Sequence, residues 1–185
     1  MTQTRYDTPL TTAEPTTVQH WKLNLDREAA SDWVRRKLPK ARELQMSLYY
    51  HPMMGFEFGW DVRRGKFNKI SILVDLVSGR AFAAAPWDDS SFELPATEVL
   101  AGNDHPLLSE RKAAVSAEQA RAAAKSVAQV IVMRKQRFAV SGNMRSTAQD
   151  VYFLKPNWWI TGSHRGRPLE LILDGVTGKH YVFSA

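Results

Sequence analysis

Ile72-Leu73-Val74-Asp75-Leu76-Val77-Ser78-Gly79-Arg80-Ala81-Phe82 and, 99 residues later, Leu171-Ile172-Leu173-Asp174-Gly175-Val176-Thr177-Gly178-Lys179-His180-Tyr181 carry the same chemistry at nearly every position. Each reads as an apolar strand, a tight turn opened by Asp and closed by Gly, and a short returning strand. Self-similarity of this kind makes the chain two copies of one unit. The match continues upstream with gaps. Arg64-Gly65 answers Arg165-Gly166 at an offset of 101, and Leu48-Tyr49-Tyr50-His51-Pro52 answers Tyr152-Phe153-Leu154-Lys155-Pro156 at 104.

A helical pattern precedes each copy. Asp26 is placed to cap a helix whose apolar residues Ala30, Trp33, Val34 and Leu38 share one face, and Pro39 stops it. Ser116 with Gln119 forms a capping-box pattern ahead of Ala120, Ala124, Val127 and Ile131. Strand character falls at 44–50, 56–62, 69–77 and 81–84 in the first half. In the second it falls at 130–140, 151–154, 158–162, 169–173 and 180–183. The expected fold is α+β: two similar repeats, each with one helix packed on a small antiparallel meander sheet, because each such element has one apolar face to bury. The boundaries are a disordered Thr-rich leader (1–20), a first αβββ unit (21–84), a packed connector (85–115) and a second αβββ unit (116–185).

This order, closing in Val74-Asp75-Leu76-Val77-Ser78-Gly79-Arg80 and again in Leu173-Asp174-Gly175-Val176-Thr177-Gly178-Lys179, resembles the tandem PepSY-like (cystatin-like) domains, over roughly 27–84 and 116–184. The resemblance implies a helix-and-meander fold and a regulatory or protease-inhibitory class of function. The shared positions are turn and core residues, so it assigns no site residue.

Composition narrows the chemistry. With 44% hydrophobic and 24% charged residues in 185, the chain has the makeup of a globular protein that needs no staple. Zero Cys excludes disulfides, thiolate metal sites and a thiol nucleophile. The first twenty residues lack the apolar stretch of a signal peptide, and no apolar run reaches the length of a membrane span, so a cytoplasmic location is expected. The five His (His20, His51, His105, His164 and His180) lack metal-ligand spacing, and neither a nucleophile elbow nor a phosphate-binding glycine loop is present. No catalytic residue, metal or cofactor is assigned. Asp75 and Asp174 are expected to set their turns by accepting backbone amides.

Charge and aromatics favour binding. Residues 1–95 hold 13 Lys/Arg against 12 Asp/Glu and residues 96–185 hold 12 against 7, so the net +6 sits mostly in the second half. There Lys155-Pro156-Asn157-Trp158-Trp159 places two tryptophans on opposite faces of one strand, so that one is available at the surface. Trp158, Trp159, Lys155, Arg165 and Arg167 form the expected partner-binding surface. In the first half Phe56, Phe58 and Trp60 share the core face, with Glu57 and Asp61 outward. The expected function is a non-catalytic protein-binding or adaptor module, since exposed aromatics with Arg are favoured at protein interfaces. The alternative is nucleic-acid binding through the basic, Trp-containing second half; the third reading is a cofactor-free enzyme. Pairing through the open edge strand of each sheet would give a homodimer.

Overall fold

A computed structural model describes residues 19–62, 66–94, 115–135 and 144–184. The elements are β1 (Gln19–Trp21), α1 (Arg27–Lys37), β2 (Ala41–Val62), β3 (Lys66–Asp75), β4 (Ala81–Ala84), β5 (Phe92–Glu93), α2 (Ala117–Lys135), β6 (Arg145–Ser146), β7 (Val151–His164), β8 (Arg167–Asp174) and β9 (His180–Ser184). The fold is mixed α+β, and its strands belong to one nine-stranded sheet. This corrects the expectation of two small sheets. The long strands β2 and β7 run antiparallel from Ala41↔His164 to Gly55↔Val151 and join what would have been separate edges. A strand paired on both sides leaves no open ladder, which is the physical gain of the fusion.

β2 and β7 are each one strand where the sequence pattern predicts two, divided at Gly55 and at Pro156-Asn157, and each continues although a proline, Pro52 or Pro156, lies inside it. A proline is tolerated in a strand where its missing N–H has no ladder partner to lose. Leu76 N donates to Pro52 O (3.2 Å) and Gly175 N donates to Pro156 O (3.0 Å). In an antiparallel strand a residue's N–H and C=O point to the same side. The missing N–H therefore faces a turn, one residue before pairing with β3 begins at Met53↔Asp75 and with β8 at Asn157↔Asp174.

The registers follow the offsets seen in the sequence. Leu73 pairs with Phe82, and Ile172 with Tyr181, each 99 residues on. Met53 pairs with Asp75 and Asn157 with Asp174, 104 and 99 residues on. His51 and Lys155, which correspond at the offset of 104, face each other directly across the β2–β7 joint. Both closing turns need a left-handed residue and place glycine there, Gly79 (φ 74°) and Gly178 (φ 68°).

The helices cover the opposite halves from those expected. Ala30 and Val34 of α1 pack on Trp158, Ile160, Leu169, Leu171 and Leu173 of β7 and β8. Ala120, Ala124 and Ala128 of α2 pack on Phe56, Phe58, Ile72 and Val74 of β2 and β3. α1 also meets the first stretch of β2 through Ala41, Leu44, Met46 and Leu48, while the strands under α2 are those of the earlier half of the chain. Asp26 caps α1, its Oδ1 accepting from Ala29 N at 2.8 Å. At the start of α2, Ser116 Oγ accepts from Gln119 N (3.2 Å) while Gln119 Oε1 accepts from Ser116 N (2.9 Å). Residues 130–135, expected as strand, complete α2, because packing of Val127 and Ile131 on the Phe58–Ile72 cluster overrides the β-branched run. The remainder of that expected strand, 136–140, lies outside the described residues.

On the other face Met53, Leu73 and Phe153 are buried with Phe92, against Trp21, Ala84 and Trp87. Gly55 makes room for this cover, since a Cβ there would stand 2.7 Å from Trp87 Cζ2. β1 pairs parallel with β7 and antiparallel with β5, so Gln19 and His20 belong to the sheet and not to the leader. The rest of the leader, and 95–114 of the connector, lie outside the described residues.

Candidate functional site

Trp158 is not a surface residue: it is 5% exposed and its indole Nε1 donates to Leu25 O at 2.7 Å, tying the approach to α1 onto the sheet. Trp159 points to the opposite face, half-buried, and donates from Nε1 to Glu170 Oε1 at 3.0 Å. It stands three residues beyond Pro156, where β2 has Gly55 three residues beyond Pro52. In the first half Phe56, Phe58 and Trp60 are buried, while Glu57 is half-buried and Asp61 exposed.

Lys155 is turned inward. Its Nζ lies 2.5 Å from Asp174 Oδ2, with the two side chains 13% and 4% exposed. Across the joint, His51 Nε2 lies 2.8 Å from Asp75 Oδ1. Both carboxylates are also the hinge of their turns. Asp75 accepts from Val77 N (2.8 Å), Ser78 N (3.1 Å) and Ser78 Oγ (2.6 Å). Asp174 accepts from Val176 N (2.9 Å), Thr177 N (3.1 Å) and Thr177 Oγ1 (2.7 Å).

Burial pushes the Asp75 carboxyl up, but the hydrogen bond and charge of His51, with the bonds from Ser78, outweigh it and hold the group well below the usual carboxylate range. Asp174 is likewise lowered: burial raises it, and the Lys155 charge and hydrogen bond, with those from Thr177 and Val176, prevail. Tyr49, on the same face, is raised well above its ordinary value, chiefly by burial, against a hydrogen bond with Asn157. Two ionised carboxylates whose lone pairs are engaged by turn amides and hydroxyls act here as structural anchors. Among the described residues no group of three or more His, Asp or Glu is arranged to hold a metal ion.

Arg165 and Arg167 are exposed at the β7–β8 hairpin, Arg165 with a left-handed backbone (φ 54°). Ala41, His164 and Arg167 are successive partners across β2, β7 and β8, so this hairpin sits beside the start of β2 and the end of α1. The expected surface therefore divides: Trp158 and Lys155 are turned inward, Trp159 is half-buried, and the two arginines face solvent. A shallow groove opens on α1, lined by Leu25, Ala29, Asp32, Arg35 and Arg36.

Sequence reasoning foresaw open edge strands, and what it missed is the pair of exposed aromatics on two of them. β4 and β9 each pair on one side only among the described residues. Phe82 on β4 is 40% exposed and Tyr181 on β9 is 57% exposed, and the two correspond at the offset of 99. Their partners, Leu73 and Ile172, alternate with the helix-facing Ile72 and Leu171, so both rings lie on the face away from the helices. The repeat alignment paired these residues; that both were exposed at sheet edges needed the topology.

No protein-family model, curated protein or solved structure matches the chain. Among the described residues no helix is long and apolar enough to cross a membrane.

Proposed function

We propose that the chain is a non-catalytic protein-binding module, two copies of a PepSY-like αβββ unit fused through β2 and β7, which takes up extended partner segments on its outer strands. The observation that carries this reading is the equivalent pair of exposed aromatics, Phe82 and Tyr181, on strands that end the sheet. An edge strand offers unsatisfied N–H and C=O groups to an added strand, and an aromatic beside it supplies contact for alternate side chains.

The ladder leaves suitable groups outward. Asp75 N donates to Arg80 O (3.0 Å) and Asp174 N to Lys179 O (2.7 Å). Antiparallel pairs alternate between bonded and non-bonded, so Ala81 and Ala83 on β4, and His180 and Val182 on β9, direct their backbone groups away from the sheet. The joined registers at offsets of 99 and 104 support the duplication, and the exchanged helices are how the two copies share one body.

Capture from native extract, with and without nuclease, tests the reading. A stoichiometric protein partner that survives nuclease is expected with the wild-type chain and lost with Ala83→Pro plus Val182→Pro, which remove outward N–H groups and leave the internal ladder intact. A partner retained by that variant, melting as the wild type does, overturns the edge assignment. Capture that is nuclease-sensitive throughout overturns the protein-binding reading.

A further inference from the structure

We infer that the end of the molecule formed by the last turn of α1, the start of β2 and the β7–β8 hairpin is a binding surface for the phosphate backbone of duplex nucleic acid. Segments 35–42 and 165–167 hold seven of the chain's 25 Lys and Arg, with one exposed carboxylate, Glu43, directly after them on β2 and Asp32 one turn before Arg35. The fold brings the segments together. Ala41 N donates to Leu38 O at 2.9 Å, which turns α1 into β2, and the Ala41↔His164↔Arg167 partnership sets the hairpin beside them. With neighbouring strands about 4.8 Å apart, Arg42 and Arg167 lie on the order of 10 Å from each other along this end.

The positive charge here is in large excess. Among the described residues Arg35 alone of the seven has an acidic partner, Asp32 one turn back. Elsewhere Lys69, Arg121, Arg145 and Lys155 each hold a carboxylate. Arg36 and Arg42 bond only backbone carbonyls, Arg36 Nε to Asp32 O (3.3 Å) and Arg42 Nη1 to Ala41 O (2.9 Å) and Pro39 O (3.3 Å). These bonds orient the guanidinium groups without neutralising them. Cations at a helix C-terminus also oppose its negative end, which accounts for three of the seven at most.

Five of the seven are Arg, the side chain whose planar fork suits phosphate oxygens. The chemistry around them selects the partner. A protein interface centres on aromatic or apolar side chains, and single-strand platforms stack bases on aromatics. None of the exposed large hydrophobic residues (Phe67, Phe82, Leu94, Val130, Met133, Tyr152, Tyr181) belongs to these segments. A rigid, Arg-rich surface with no exposed aromatic or large apolar side chain fits a duplex backbone read without sequence.

The test uses the full chain and a 20-base-pair random-sequence DNA duplex, followed by fluorescence anisotropy over a salt series. The six cations other than Arg35 predict a log–log salt slope of about −5 and a loss of about a thousand-fold between roughly 50 and 200 mM salt. Arg165→Asn plus Arg167→Gln, at an exposed tip where Asn tolerates the left-handed backbone, makes the slope shallower by about 2. Lys125→Gln plus Arg134→Gln removes equal charge from α2 and leaves the slope unchanged. If the hairpin variant melts early, Arg36→Gln plus Lys37→Gln on α1 gives the same shallower slope. Equal loss in the α2 control, no binding at low salt, or binding only to phosphatidylserine vesicles overturns the assignment.

Discussion

Pro52 and Pro156 stand in the middle of the two longest strands, and each works there because its carbonyl serves a turn while its missing N–H has no ladder to break. Beside them the two side-chain pairs, His51–Asp75 and Lys155–Asp174, tie each closing turn to the strand joint. Asp174→Ala would leave Lys155 largely buried without a partner and is expected to cost about 3–5 kcal/mol in urea unfolding. Trp158→Ala is expected to cost about 3–5 kcal/mol, because it opens a cavity under α1 and frees Leu25 O. Trp159→Ala costs less, its ring being half-exposed. The carboxylates also set the response to acid. Asp75 and Asp174 titrate lower in the folded chain than at their unfolded value of about 3.9, so their stabilisation is whole above that pH and is lost as pH falls through the lowered values. Stability is thus expected to fall steeply below about pH 4, and less steeply in Asp75→Asn, measured as the urea midpoint at each pH.

At the scale of elements, what was legible in the sequence is local. The Asp-x-x-Ser/Thr-Gly turns, the Asp26 cap and the Ser116–Gln119 box are each set by residues three or four apart, and each is present. The breaks read at Gly55 and at Pro156-Asn157 failed because the effect of a glycine or a proline in a strand depends on what packs over it and which side is paired, a fact of long-range topology. Residues 130–135 read as strand from β-branching, yet the apolar stripe through Val127 and Ile131 decides for helix. The candidate site was legible only in part. Alternation separated Trp158 from Trp159, but that Leu25 and Glu170 would engage both indoles depends on pairings 133 and 11 residues distant. Arg165 and Arg167 were found as basic residues close in sequence to the two tryptophans, while the basic neighbours from 35–42 came to them through the β2–β7 pairing.

For the whole molecule, the placement of the helices makes the halves interdependent: α1 has its apolar face chiefly on β7 and β8, with the first stretch of β2 beside them, and α2 has its face on β2 and β3. A half taken alone would expose both a bare sheet face and a bare helix, and an apolar face left in water contributes nothing against the entropy of ordering. It also leaves the outer strands and the basic end as products of one shared body, with the sheet's centre committed to stability. The most direct measurement is therefore to express residues 1–112 and 113–185 separately and record circular dichroism and two-dimensional amide NMR spectra of each half and of their equimolar mixture. The exchanged architecture predicts collapsed, undispersed spectra for each half alone and a dispersed spectrum with one cooperative melt on mixing. A half that folds alone, with dispersed amides and its own cooperative melt, would contradict it.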